Sequence, residues 1–410
     1  MHPRNIYLQT PDFRQLATSY PPLQDFLQPH SNLVDFQDEE AQRCITEALL
    51  YRDFNLKVQL PKNRLCPPVP NRLNYILWIQ DIVRACQVVT GEQPVTGVDI
   101  GTGASAIYPL LGCRLNPCWN FVVTELDELS AKYAQKNVKA NNLSDRIQIV
   151  MASVPGPILI PLSDTSQTFD FTMCNPPFYS SAEDVAQSLE AKEFGPNAVC
   201  TGAAVEMFTE GGESAFVQRI VKESVAFGTR CTWYTSMFGK LSSVGEVVDT
   251  LKANCIDNYA VTEFVQGQTR RWAVGWSFTD IRLPDTASRI SNPNAFIQRY
   301  LPPHNTIRQP AKTSNKVVED ALLAIRGVSV ESCSSHFLVN ASGDTWSRTA
   351  RRKQRRRMEA EVENSLPEMI LTCSITISGE YVEFQWVRGR NRSLFESFCS
   401  HVSRKIASSR

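Results

Sequence analysis

The tetrad Asn175-Pro176-Pro177-Phe178 follows the apolar run Phe171-Thr172-Met173-Cys174 and is the stretch of this chain best suited to chemistry. Proline has no N–H and a fixed φ, and it drives the preceding residue towards extended geometry. Two in succession hold Asn175 rigidly at a strand end with carbonyls exposed nearby. The Asn175 side-chain oxygen and the Pro176 carbonyl can accept both hydrogens of a planar –NH2 group, while Phe178 stacks on the ring that carries it. An amine conjugated to an aromatic ring is a poor nucleophile because its lone pair is delocalised. Holding both hydrogens favours a pyramidal nitrogen whose lone pair faces an electrophile. No titrating base is required. A bare Asn-Pro-Pro is more often a turn after a strand, but a following aromatic and a second motif upstream favour the functional reading.

That second motif is Val95-Thr96-Gly97-Val98-Asp99-Ile100-Gly101-Thr102-Gly103-Ala104, an apolar strand that meets a Gly-x-Gly turn and then a helix-like run. Glycines there admit φ > 0 and close backbone approach to a ligand. The position, at the carboxyl end of a strand, is where doubly wound sheets bind cofactors. Alone the Gly-x-Gly is weak, and it lacks the third glycine of a dinucleotide fingerprint. The next strand, Asn120 to Thr124, ends in Glu125, placed where a carboxylate can take two ribose hydroxyls; the plainer reading is a surface acid. The three features in this order point to a class I Rossmann-like methyltransferase core that uses S-adenosylmethionine to modify an exocyclic amine.

Strand and helix signals alternate to position these residues: 95–100, 104–111, 120–124, 128–141, 146–150 and 169–174, then 213–226, 230–238, 243–254, 258–265 and 271–279. This βαβ rhythm predicts a mostly parallel sheet covered by helices, closed by a hairpin. Residues 179 to about 212 read as a long substrate loop. Before the core, 1–72 reads as a small N-terminal module with helices near 12–19 and 38–53, leading into a periodic helix through Tyr75, Ile76, Ile79, Ile82 and Val83. The methyltransferase domain spans 73–284 and a linker 285–345. Alternation from Leu371 to Trp386 and a helix bearing Leu394, Phe395, Phe398, Val402 and Ile406 make 346–410 a basic segment followed by a small α+β domain.

Charge balances at 42 Lys+Arg against 42 Asp+Glu, so the whole chain carries no signature of a polyanionic or polycationic partner. No long apolar run or polar-flanked leader is present, which predicts neither a membrane span nor a secretory signal. None of the twelve cysteines forms Cys-x-x-Cys, which fits reduced thiols and no metal site. Histidines at 2, 30, 304, 336 and 401 lie outside the predicted core, against His-based hydrolysis or a Cys–His nucleophile. Charge is concentrated locally: seven of the ten residues 348–357 are basic, and Arg351, Arg352 and Arg355 are candidates for phosphate contact. A solvated helix face or a nuclear import signal are the other readings of that segment.

Met1-His2-Pro3-Arg4-Asn5, Pro11-Asp12-Phe13, Val69 to Ile76, Asp99 to Gly112, Thr124 to Asp127, Met173 to Phe178 and Gly267 to Trp272 resemble one family. It is the eukaryotic methyltransferase-like family that makes N6-methyladenosine in U6 small nuclear RNA, related to a bacterial enzyme acting on large-subunit ribosomal RNA. The resemblance covers residues 1 to about 280, and more loosely the Trp346-Ser347-Arg348 stretch and final domain, which are similar to the family's C-terminal RNA-binding repeat. It implies that Arg72, Gly101, Glu125 and Asn175 contact S-adenosylmethionine, with Arg72 on its carboxylate. It further implies that Asn175, Pro176, Pro177 and Phe178 hold the adenine, with Tyr179 and Arg271 on the RNA side, and that the N-terminal module binds RNA. Two departures stand out. The loop Lys192 to Asn197 is sparsely basic, and Met151 to Pro157 lacks the lysine and threonine expected near the cofactor's adenine, so that contact passes to Ser153. The expectations are an RNA N6-adenosine methyltransferase, a structured RNA with an unpaired adenosine as partner, and location in the nucleus, with the cytoplasm also open. Ribosomal RNA adenine-N6, protein-glutamine N5 and DNA adenine methylation, and a non-catalytic RNA binder, remain alternatives.

Overall fold

Short runs rich in β-branched and aromatic residues, most of them followed by a helix, generate the first sheet. In the computed structural model, which describes residues 1–28, 32–164, 166–181, 184, 202–333, 336–347, 350 and 369–408, these runs are β1 (Val95–Ile100), β2 (Trp119–Glu125), β3 (Ile147–Met151), β4 (Phe169–Cys174), β5 (Cys231–Phe238), β6 (Tyr259–Gln266) and β7 (Thr269–Trp276). Their order is β3-β2-β1-β4-β5-β7-β6, with β1 to β5 parallel and β7 inserted antiparallel between β5 and β6. The predicted strands and closing hairpin are all present. β1 lies at the point where the strand order reverses, so its carboxyl end opens into a crevice. Ile100 of β1 is opposite both Thr124 of β2 and Cys174 of β4. Gly101, Glu125 and Asn175, each the next residue along, therefore sit on one rung of the same edge.

Helix α1 (Phe13–Ser19) and helix α2 (Glu39–Phe54) precede helix α3 (Val69–Thr90). Asp12 and Asp38 cap the first two by accepting from amides of their opening turns. The periodic pattern predicts α3 with one buried face, but every residue from Asn71 to Gln80 is buried. The opening residues cover its other side. Asn5 Nδ2 donates to Pro70 O (2.9 Å) and Asn74 Oδ1 (2.8 Å), and Arg4 donates to Gln80 Oε1 (2.6 Å). Further along, the segment Lys57–Gln59 is held through both N–H and C=O groups by Asn137 of the helix Glu128–Ala140 and by Asn141, which caps its C-terminus. The N-terminal module expected over 1–72 thus packs with the core: one compact unit comprises Met1–Val83, Glu92–Thr279 and Asn292–Leu301.

The second unit comprises Arg84–Gly91, Asp280–Ser291 and Pro302–Arg410. Its antiparallel sheet contains β8 (Thr306–Pro310), β9 (Val328–Ser332), β10 (Phe337–Ala341), β11 (Leu371–Ser378) and β12 (Tyr381–Arg388), in the order β8-β12-β11-β10-β9. The linker expected over 285–345 is instead three of these five strands and the helix Asn315–Leu323. β8 and β9 are the sheet's two edges, and edge strands carry the charge, proline and short length that read as loop. The core buries Phe384, Trp386, Phe395, Phe398 and Trp346, with Trp386 stacked on Phe395 at 5.5 Å and Trp346 edge-on to Phe398 at 5.0 Å. The helix Arg392–Ser408 supplies the aromatic face read from the sequence.

Among the described residues no helix is long and apolar enough to cross a membrane, and no group of three His, Cys, Asp or Glu could hold a metal ion. Most of the loop expected over 179–212 lies outside the described residues, including Lys192 to Asn197.

Candidate active site

On the β1 side of the edge, the glycine turn is built for backbone donors. Gly101 and Gly103 take φ of +71° and +65°, the left-handed region that glycine enters without cost. A Cβ on Gly101 would meet nothing within 4 Å, so the backbone angle is what requires glycine there. Gly103 N donates to Glu125 Oε2 at 2.8 Å, and Leu126 N and Asp127 N both donate to Oε1 at 2.9 Å. Burial pushes the Glu125 carboxyl up from its ordinary value, and these three amides partly offset it.

Asp99 contrasts with Glu125. It is fully buried, yet neither carboxylate oxygen makes a hydrogen bond of ordinary geometry, and the hydroxyl of buried Thr102, though close enough to act on it, makes none either. Burial raises Asp99 to about 7; the neighbouring Thr102 hydroxyl and Arg72 pull it down, and Glu125 pushes it further up. A fully buried acid normally finds partners. One without them, between a guanidinium and a second carboxylate, fits a cationic ligand. Arg72 is itself buried, with its guanidinium 5.6 Å from the centre of the Tyr108 ring. These groups, with the open glycine turn, fit the amino-acid and ribose parts of S-adenosylmethionine. Ser153 lies exposed just beyond β3, after Ala152, whose N–H donates to Glu125 O at 2.7 Å.

Across the crevice the tetrad leaves β4. The Asn175 side-chain oxygen is buried and has no hydrogen-bonding partner. Phe178 has the Arg271 guanidinium 5.3 Å from its ring centre. On another side, a Cβ placed on Gly239 would come within 3.2 Å of the ring and crowd it. Tyr179 is fixed by Tyr179 N to Met207 O (3.1 Å) and Thr209 N to Tyr179 O (3.0 Å), with Lys240 5.6 Å from its ring centre. Burial lowers the Arg271 guanidinium, and the nearby Arg72 charge lowers it further; Glu213, Tyr179 and Tyr108 act in the opposite sense. Two cations that disfavour each other favour an anion close by.

The structure thus brings together Arg72, Gly101, Glu125, Asn175, Pro176, Pro177, Phe178, Tyr179 and Arg271. Arg351, Arg352 and Arg355 lie outside the described residues. Sequence reasoning passed over Asp99, although an acid one residue before the end of an apolar strand signals it. It also passed over Glu213, in the first turn of the helix Gly212–Phe227. Glu213 is 1% exposed and accepts from Gly239 N (2.7 Å) and Lys240 N (2.8 Å), which fixes the backbone against Phe178. The Gly211-Gly212 pair before it is the one local sign.

Comparison with known proteins agrees with this architecture. A family model described as RNA methyltransferase matches residues 1–280. A Schizosaccharomyces pombe protein named U6 small nuclear RNA (adenine-(43)-N(6))-methyltransferase is 36% identical over 382 residues, covering 91% of this chain and 95% of its own. The Danio rerio RNA N(6)-adenosine-methyltransferase mettl16 is 32% identical, covering 98% of this chain and 96% of its own. Among solved structures, the hMettl16 catalytic domain in complex with the MAT2A 3'UTR hairpin 1 matches with a TM-score of 0.65 at 39% identity, covering 72% of this chain and 99% of that one. The N-terminal domain of human METTL16 in complex with SAH matches with a TM-score of 0.57 at 38% identity, over 68% of this chain and 99% of that one. The family match spans the same strand edge that carries the glycine turn, the buried acids and the tetrad: the chain belongs to the RNA methyltransferase family.

Proposed function

We propose that this chain transfers the methyl group of S-adenosylmethionine to the N6 amine of an adenosine in structured RNA, with U6 small nuclear RNA the first candidate. The observation that carries the reading is the buried, unpartnered Asn175 oxygen on the same rung as Gly101 and Glu125. An orphaned acceptor of this kind costs stability unless a donor arrives. The two hydrogens of an adenine amine supply one. The names of the relatives and the hairpin-bound catalytic domain support RNA as the substrate class.

In this reading Arg72 pairs with the cofactor's carboxylate, Asp99 takes its ammonium, Glu125 its ribose, and Ser153 flanks its adenine. Bound S-adenosylmethionine supplies an electrophilic methyl. Asn175 and the Pro176 carbonyl hold the amine hydrogens so that the nitrogen lone pair points out of the ring plane. Phe178 stacks on the base, a contact worth about 1–3 kcal/mol in other single-strand sites. Pro177 keeps the tetrad rigid, and Tyr179 and Arg271 face the RNA chain. An adenosine inside a duplex cannot reach this edge, so the target is unpaired or flipped. Residues 1–72 and the basic segment with Arg351, Arg352 and Arg355 add RNA contacts, and action on U6 small nuclear RNA implies a nuclear location.

The test is labelled methyl transfer to total RNA, DNA and protein, followed by digestion and mass spectrometry of the labelled product. N6-methyladenosine in RNA is the expected product. Label in glutamine or in DNA, with none in RNA adenosine, rejects the reading. Fluorescent tagging of the full chain checks the nuclear location.

A further inference from the structure

β4 and β5 pair at Phe169 with Cys231 and at Phe171 with Trp233, and the register ends there. Beyond it, Thr172 O and Cys174 N project to the same side of β4, two residues apart, where a parallel ladder would have joined them to one neighbouring residue. Two side-chain hydroxyls take that place. Thr235 Oγ1 donates to Thr172 O at 2.7 Å, and Thr235 N donates to Thr172 Oγ1 at 3.3 Å. The Tyr75 hydroxyl lies 2.7 Å from Thr235 Oγ1, and Cys174 N donates to the Tyr75 oxygen at 3.3 Å.

The proton order follows from counting donors. Thr235 has a single hydroxyl hydrogen, spent on Thr172 O. Tyr75 is therefore the donor to Thr235, which leaves its own lone pairs free for Cys174 N. The chain runs Cys174 N to Tyr75 O, Tyr75 O–H to Thr235 Oγ1, Thr235 O–H to Thr172 O. Tyr75, Thr172 and Thr235 are fully buried and Cys174 is 1% exposed, so water does not substitute for any link.

Tyr75 sits three residues after Arg72 on α3, hence on the same face of the helix. The Tyr108 ring packs edge-on against Tyr75 at 5.5 Å and lies beside the Arg72 guanidinium. One helix turn thus reaches the cofactor side through Arg72 and the residue immediately before Asn175 through Tyr75. We infer that Tyr75 and Thr235 are positioning residues: their hydroxyl chain sets the strand end that presents Asn175 and keeps it in register with the cofactor side. The inference rests on the assignment of Asn175 to the target amine.

The test uses the full chain with S-adenosylmethionine and a U6 small nuclear RNA transcript. Thr235→Val keeps the shape and removes the hydroxyl; Thr235→Ser keeps the hydroxyl and removes a methyl that packs near Gly275. Misplacement of a reacting group by a fraction of an ångström is the expected defect, so Thr235→Val and Tyr75→Phe should each lower kcat on the order of tenfold. Binding of S-adenosylhomocysteine should stay within about twofold of wild type, and Thr235→Ser should keep near wild-type kcat. Wild-type kcat in Thr235→Val, or a loss in Thr235→Ser equal to that in Thr235→Val, overturns the hydroxyl chain. Asn175→Ala runs alongside. If it is inactive while Thr235→Val is unimpaired, the positioning role alone falls; if it retains turnover, the amine-holding role falls as well.

Discussion

Asp99 and Glu213 are buried carboxylates on the two halves of the strand edge, and they are held in opposite ways. On the target half, Glu213 gives both oxygens to backbone amides, Gly239 N and Lys240 N. On the cofactor half, no backbone amide reaches Asp99, whose oxygens make no hydrogen bond of ordinary geometry. Burial raises both carboxyls, to about 7 for Asp99. A carboxylate saturated by amides fixes the backbone around it, as Glu125 also does beside the glycine turn. An unsaturated one stores a cost that a ligand relieves. Burial by itself does not tell Asp99 from Glu213; the partner inventory does.

The largest effect belongs to the tetrad. Asn175→Ala should lower turnover on the order of 10²-fold or more, as loss of one preorganised polar contact does in other active sites. Binding of S-adenosylhomocysteine, measured by calorimetry, should be nearly intact.

Asp99→Asn and Glu213→Gln should dissociate in opposite directions. The first should weaken S-adenosylhomocysteine binding by about 1.5–3 kcal/mol, the range for hydrogen bonds to charged groups, without lowering Tm. The second should lower stability by about 1–3 kcal/mol, since an amide hydrogen now faces a backbone N–H, and leave cofactor affinity alone. Thermal melts and calorimetry on both variants check this. If Glu213→Gln loses cofactor affinity and Asp99→Asn loses stability instead, the division of roles is reversed.

pH sharpens the same contrast. The Asp99 carboxyl is raised in the fold, so the neutral form is the favoured one. Its contribution to stability is present below about pH 4, the ordinary aspartate value, and is lost as pH rises through about 7. A cationic ligand draws the proton off. Cofactor affinity should therefore increase between pH 6 and 8 in the wild type and stay flat in Asp99→Asn, as calorimetry across that range would read. A flat wild-type profile removes Asp99 from the cofactor site.

The smallest effect concerns the basic segment. Replacing Arg351, Arg352 and Arg355 with serine in the full chain should flatten the dependence of log affinity for RNA on log salt by up to roughly 0.7–0.9 per lost phosphate contact. Unchanged slopes reduce the segment to an import signal or a solvated surface. Truncation near residue 340 is a poorer test, because it would remove β11 and β12, the strands that join β8 to β10 in the second sheet.

Much of this edge was legible in the chain. Strand ends, glycine turn, Glu125 and the tetrad are each local in sequence, and the strand limits follow apolar runs that turn residues interrupt. What stayed hidden depends on residues distant in sequence. The Tyr75–Thr235 hydroxyl pair joins positions 160 residues apart, and nothing near Tyr75 marks its oxygen as an acceptor for Cys174 N. Asp99 looks like any strand-end acid until its partners are counted. α3 reads as a one-sided helix because the covering residues, Arg4 and Asn5, stand far upstream. β8 and β9 escaped for the reason edge strands commonly do: half of each faces solvent.

β10 and β11 are antiparallel neighbours whose first rung pairs Ala341 with Leu371, closed by Ile370 N donating to Ala341 O at 3.0 Å. Ala341 and Leu371 are therefore fixed neighbours in the sheet, with Trp346 buried a few residues beyond the first. Closing a flexible loop costs only about 0.6 kcal/mol more for each doubling of its length. A strand pair held this way tolerates a change in the length of sequence between its ends with little thermodynamic penalty.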